Sequence, residues 1–546
     1  MSDVQLPPSG GESSAMRSSA ALGVSVPEHP ERTGSRLDQW FANLLRTPAR
    51  QRVWYWGGPI AVTLIAAMLR LWDLGNPHSL VFDETYYVKD AYSLSQFGYE
   101  GKWADGANPA FEAGDVSALG PAAEFVVHPP LGKWMISLGI QWFGVDNAFG
   151  WRITTALAGI LAVWLLILVA RRLTQSTTLG MIAGLLFAVD GSAVVMSRVA
   201  ILDNWVMLFA LMGTAAVLAD RAGHEQRLRE RVAWIRSGGR TATWGPAFWW
   251  RPWILLAGVA FGAASAVKWS GLWFLAAFGL YLVLVDAMAR RSHGLRHWAG
   301  GGVLKQGPIT AAVLVVPALV TYALSWLGWI LTSGGWDRTW AEDTHYAGPF
   351  PSWLASLGYY HQQAYAYHVG LTAEHPYSAN PLTWLLMIRP TSMYYVGSSF
   401  GENGCWVDSC SSAITPIGNP LIWWTAAGAL LFLIYRLRYV REWQVGFMLL
   451  GLGAGYLPWL MYLNRTVFQF YSIAFFPYIV LLLTWCLSLV LGKRTDPEDR
   501  RTRGIATTAV FLGLVVLVSV FYFPLMTGMQ VPFGFWNAHM WIPSWR

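Results

Sequence analysis

Of the 546 residues, 54% are hydrophobic and only 13% are charged, against about 25% charged in a soluble domain. Apolar runs of about twenty residues, the length that crosses a bilayer as a helix, recur along the chain and exclude a soluble globular protein. The formal net charge of +7 gathers between those runs, as in the cytoplasmic loops of a multi-pass membrane protein, and does not point to nucleic acid.

Residues 1–50 are rich in Ser, Pro, Gly, Glu and Arg, hold no apolar run, and read as a disordered tail without a secretory signal. The basic stretch Arg46 to Arg52 against the first span places that tail in the cytoplasm. Residues 51–546 read as one all-α polytopic domain with spans at about 55–74, 152–171, 179–195, 202–219, 252–267, 271–288, 309–331, 420–435, 445–463, 468–491 and 505–526. Eleven spans put every Arg/Lys-rich loop on one face and the C-terminus on the other. The segment 131–145 is apolar but short, and is expected to lie at the interface.

Two outer loops stand out, 75–150 and 332–419, since long loops in compact proteins are usually functional. Cys486 sits in an apolar run and reads as a free core thiol. Cys405 and Cys410 lie in a polar stretch of the second loop, where an oxidising exterior would close a small disulfide loop; two unpaired thiols are the other reading. The 33 Trp suit interfacial belts first and a sugar-contacting surface second.

The first loop carries adjacent carboxylates, Asp83 and Glu84, in the stretch VFDETYYVKD, and closes with His128, Lys133 and their neighbours in HPPLGKW. A carboxylate pair at a membrane boundary is costly unless used; the plain alternative is an acidic cap on a helix starting near Thr85. With Arg152, Arg198, Asp203, Lys268, His375, Arg389 and Arg465, carboxylates and cations from distant parts of the chain meet on one leaflet, at or beyond span ends. A coupled transporter would place them at mid-span. The pattern suits an enzyme whose anionic, lipid-anchored substrate is held by Arg and Lys and attacked with help from a carboxylate base. For any one cation, snorkelling to head groups is the simpler reading.

The pieces FDETYY (Phe82–Tyr87), HPPLGKW (His128–Trp134), SRVAILDN (Ser197–Asn204), VKWSGLW (Val267–Trp273) and HPYSANPLTWLLMIRP (His375–Pro390) resemble the protein O-mannosyltransferases, membrane enzymes of the GT-C fold. The resemblance implies a polyprenol-phosphate mannose donor and transfer to Ser or Thr hydroxyls of exported proteins, with inversion. It implies Asp83 as catalytic base, Glu84 as its partner at the acceptor site, and Arg152 as an essential residue. Arg152, with Arg389, Lys133 and His128, is expected to hold the donor phosphate. Eukaryotic members carry a MIR trefoil domain that the loop 332–419 is too short to hold, which implies a bacterial plasma-membrane enzyme with its site facing outside. Its partners would be the lipid donor, Ser/Thr-rich segments of exported proteins, membrane lipid and the secretion machinery. No HExxH or Cys/His cluster points to a tightly bound metal. The rival readings are a GT-C enzyme that loads a glycolipid or cell-wall glycan, and a transporter or flippase.

Overall fold

The computed structural model describes residues 33–546 except residue 240; most of the expected tail lies outside them. Its described end is not a coil. Ser35 and Asp38 form a reciprocal capping box that starts helix α1 (Arg36–Leu44), and Arg501 grips Asp38 with two hydrogen bonds of 2.9 Å. Helix α2 (Pro48–Leu71) follows at once, capped by Thr47.

Seven helices are long and apolar enough to cross a membrane. They are α2; α5 (Ala148–Thr174); α8 (Asp203–Ser237); α10 (Gly271–Ser292); the helical run 298–325, whose main part is α11 (Gly307–Ser325); the run 443–461, beginning with α14 (Trp443–Tyr456); and α16 (Glu498–Thr527). An eighth is broken: α6 (Thr177–Val189) and α7 (Gly191–Arg198) meet at 63°. The sequence suggests one continuous span over 179–195, which would carry Asp190 within it. The helix breaks there, and Asp190 is buried. Its carboxylate accepts from Ala193 N, Asn419 N and Trp423 Nε1, so it caps a new helix rather than facing water. Three shorter apolar helices, α9 (Pro252–Val267), α13 (Pro420–Arg436) and α15 (Phe476–Leu491), occupy the places of expected spans five, eight and ten.

Packing follows from small residues and interfacial aromatics. Gly258 and Gly262 on α9 leave room only for the backbone of α11 at Leu314 and Ala318, the close approach that small residues four apart allow between membrane helices. At the end of α5, the Arg171 guanidinium lies 3.8 Å from the Tyr55 ring centroid and 5.1 Å from that of Trp56. On the same face, buried Arg251 pairs with Asp220 and Asp286, tying the start of α9 to the middle of α8 and the last turns of α10.

On the opposite face, loop 75–150 folds into α3 (Glu84–Phe97), a two-stranded sheet of β1 (Gly101–Trp103) and β2 (Leu119–Ala123), and α4 (Leu131–Phe143). Loop 332–419 contributes α12 (Ser352–Gly370) and the antiparallel strands β3 (Tyr394–Ser399) and β4 (Ser409–Ile414). They form a sheet in the order β3-β4-β5, with β5 (Gln530–Pro532) from the end of the chain. The Cys405–Cys410 disulfide closes the β3–β4 connection, and Cys486 is free.

Candidate active site

Asp83 stands just before α3, at the N-cap position, yet its side chain makes no capping hydrogen bond. The residue ahead of it, Phe82, has φ 51°, a left-handed conformation that is costly for a bulky side chain and tends to persist at functional sites. Phe82 is held there edge-on to His375, Phe468 and Phe470. The turn leaves the Asp83 carboxyl in a protein-lined recess within the fields of Lys268 and Asp203; burial, partly offset by Lys268, raises its pKa to about 6.

Lys268 ends α9 and Asp203 begins α8; the two pair at 2.7 Å. They line a cavity with His128, His368, Arg465 and Tyr471, bounded on its apolar side by Trp273, Val369, Pro458 and Trp459. Arg465 donates from Nη2 to His368 Nδ1 at 3.2 Å, while its buried Nε has no partner. Among the described residues it has no carboxylate partner either. Burial first, then the cations Lys268 and Arg465, hold the His128 imidazole well below its usual pKa and bring His368 down to about 4. The cavity thus offers two cations and two neutral imidazoles, with the half-buried Asp83 carboxyl beside them. Gly132 explains part of this convergence. A Cβ there would stand 2.6 Å from Leu202 Cδ2 and 3.0 Å from Val267 Cγ1, so the glycine lets α4 and its HPPLGK lead-in close on the ends of α8 and α9.

Several expected site residues lie elsewhere. Glu84 is fully buried. Its carboxylate accepts from Val81 N, Ala200 N and, bidentately, Arg152 Nε and Nη2 at 2.9 and 2.8 Å. It does not face an acceptor. Arg152 spends its remaining donors on the carbonyls of Leu74, Pro77 and Ser79, leaving none for a phosphate. Lys133 is buried against Glu100 and the His128 carbonyl. Arg389 donates to the carbonyls of Pro376, Ser544 and Arg546, tying the HPYS segment to the end of the chain. Arg198 hydrogen-bonds the last carbonyls of α2 and the two residues after it. His375 packs on Phe82 and Phe468, its Nδ1 accepting from Tyr377 N. Of the sequence candidates, the cavity gathers His128, Asp203, Lys268 and Arg465, with Asp83 adjoining. Sequence reasoning missed His368 and Tyr471. The signal for His368 was the run of Tyr and His in 359–368, whose residues look like an interfacial belt until α12 folds over the cavity.

A helical membrane bundle that gathers a buried carboxylate, cations and imidazoles beneath folded loops is the architecture of a GT-C membrane glycosyltransferase. Two family models match the chain: dolichyl-phosphate-mannose-protein mannosyltransferase over residues 60–329, and the C-terminal four TMM region of protein-O-mannosyltransferase over 354–545. The chain therefore belongs to the protein O-mannosyltransferase family, and is a mannosyltransferase. Among its relatives, the polyprenol-phosphate-mannose–protein mannosyltransferase of Mycolicibacterium smegmatis (strain MKD8) is 33% identical over 507 residues, covering 90% of this chain and 93% of the relative. The enzyme of the same name from Mycobacterium tuberculosis (strain CDC 1551 / Oshkosh) is 32% identical over 499 residues, covering 89% and 91%. In fold, the chain is similar to the Saccharomyces cerevisiae protein O-mannosyltransferase Pmt1–Pmt2 complex bound to the sugar donor. The TM-score is 0.68 at 14% identity, covering 95% of this chain and 96% of that one.

Proposed function

We propose that the enzyme transfers mannose from a polyprenol-phosphate donor to Ser or Thr hydroxyls of exported proteins, on the outer face of a bacterial plasma membrane. The observation that carries this reading is the uncapped, half-buried Asp83 beside a cavity that holds the cations Lys268 and Arg465. In this reading Asp83 takes the proton of the acceptor hydroxyl as its oxygen bonds to the anomeric carbon. The bond from that carbon to the phosphate oxygen breaks on the opposite side, which inverts the configuration. The departing lipid phosphate gains charge, which Arg465 and Lys268 balance, with His128 as a neutral partner; His368, bonded to the Val127 carbonyl and to Arg465, steadies that guanidinium. The apolar wall of Trp273, Val369, Pro458 and Trp459 leads the prenyl chain toward lipid. Glu84 and Arg152 act at one remove: their buried pair ties loop 74–81 and the start of α3, which sets where Asp83 points.

The test is incubation of the purified full chain with polyprenol-phosphate mannose and a Thr-rich peptide. Mannosylated peptide with the α-anomer from a β-linked donor is the expected product. Absence of peptide transfer, or mannose appearing only on an added glycolipid, would overturn the assignment.

A further inference from the structure

A second cavity, of about 310 Å³, runs along α3 and is lined by Thr85, Tyr86, Lys89, Asp90, Trp103, Asp105 and Glu124 among others. Asp90 opens into it. The residue is 96% buried (4% exposed), and among the described residues its carboxyl has no hydrogen bond and no ion pair. The cation that acts on it most strongly, Lys133, is already taken by Glu100 and the His128 carbonyl. A buried carboxyl without a partner is expensive. Burial, with Lys133 pulling down and Glu100 and Glu124 pushing up, raises its pKa to about 8, so the group rests protonated until a cation arrives. The lining holds three acidic side chains, Asp90, Asp105 and Glu124, against the single ammonium of Lys89, and the rings of Tyr86 and Trp103 suit the apolar stem of a long cationic side chain.

Resting on the proposed protein-directed activity, we propose that this cavity seats a Lys or Arg side chain of the acceptor polypeptide, about three residues from the hydroxyl that receives mannose. The spacing follows from the helix. Asp90 on α3 lies seven residues after Asp83, the N-cap of that helix, a rise of about 10 Å at 1.5 Å per residue. An extended peptide covers that in about three residues at 3.3 Å each. Tyr86, on the rim between them, is exposed and leaves the path open.

The experiment compares peptides bearing one Thr and either Lys, Ala or Glu three residues before it or three residues after it, using purified enzyme and polyprenol-phosphate mannose. In one of the two registers the Lys peptide should exceed the Glu peptide at least about tenfold in kcat/KM, chiefly through KM. Asp90→Asn should remove that preference while leaving donor KM and the Ala peptide unchanged. Should Asp90→Asn fail to fold, the rim variant Asp105→Asn/Glu124→Gln must reduce the preference instead. Equal use of Lys and Glu peptides in both registers, or a preference untouched by these variants, would overturn the proposal. Transfer to the Ala peptide reports separately on protein mannosylation itself.

Discussion

Asp83 and Asp203 are both acids at helix starts, and Arg152 and Arg465 are both cations at loop–span junctions; only their partners tell them apart. Asp83 lacks a cap bond, so Asp83→Asn should fold, bind donor, and lose at least about a hundredfold in transfer, as expected on removing a general base. A structural acid would tolerate the change, so near-normal transfer would move the base elsewhere. Because the free carboxylate is the working form and its pKa is raised to about 6, activity should rise with pH through about 6. An acid limb near 4 in the kcat/KM profile would contradict this; His368, already neutral above about 4, does not supply the limb at 6.

The two arginines should part company in the same way. Arg465→Ala removes a charged donor from the cavity and should raise donor KM about tenfold or more, on the scale of 1.5–3 kcal/mol, with little effect on melting. Arg152→Ala strands Glu84 as a buried, unpaired carboxylate and should destabilise the fold by about 3–5 kcal/mol, seen as a lower Tm before any kinetic effect. The opposite pattern would restore Arg152 as the phosphate ligand.

Among the elements, those with strong local grammar were readable in advance. The HPPLGKW and VKWSGLW motifs located the ends of α4 and α9 because Pro, Gly and Lys mark loop–helix junctions whatever lies around them. The break at Asp190 was not readable, because it depends on Asn419 and Trp423, more than two hundred residues away. Arg152 was misplaced for the same reason: its carbonyl partners sit in a loop whose path nothing local reveals. The small sheet offers a direct check. Cys405 and Cys410 are bridged, and mass spectrometry of a non-reduced digest should recover them linked, with Cys486 alkylated. Free thiols at both positions in exported, folded protein would contradict the bridge.

At the scale of the whole molecule, hydropathy and the alternation of basic loops carried most of the architecture. The seven long helices, the broken α6–α7 pair and the three shorter apolar helices fall in the expected order. Fusions of a topology reporter at residues 235, 300, 400 and 540 should read inside, inside, outside, outside. An inside signal at 540 would remove a span from the eleven we propose. The shorter helices carry a consequence of their own. Helix α9 has sixteen residues, about 24 Å at 1.5 Å per residue, against a hydrocarbon core of about 30 Å. It ends at Lys268, so in the proposed orientation the cavity lies sunk in the shoulder of the bilayer, below the plane of the head groups. A donor drawn down there meets few water molecules, and an incoming hydroxyl competes with little else for the anomeric carbon. In that orientation the length of one helix would hold back wasteful hydrolysis of the lipid-linked sugar.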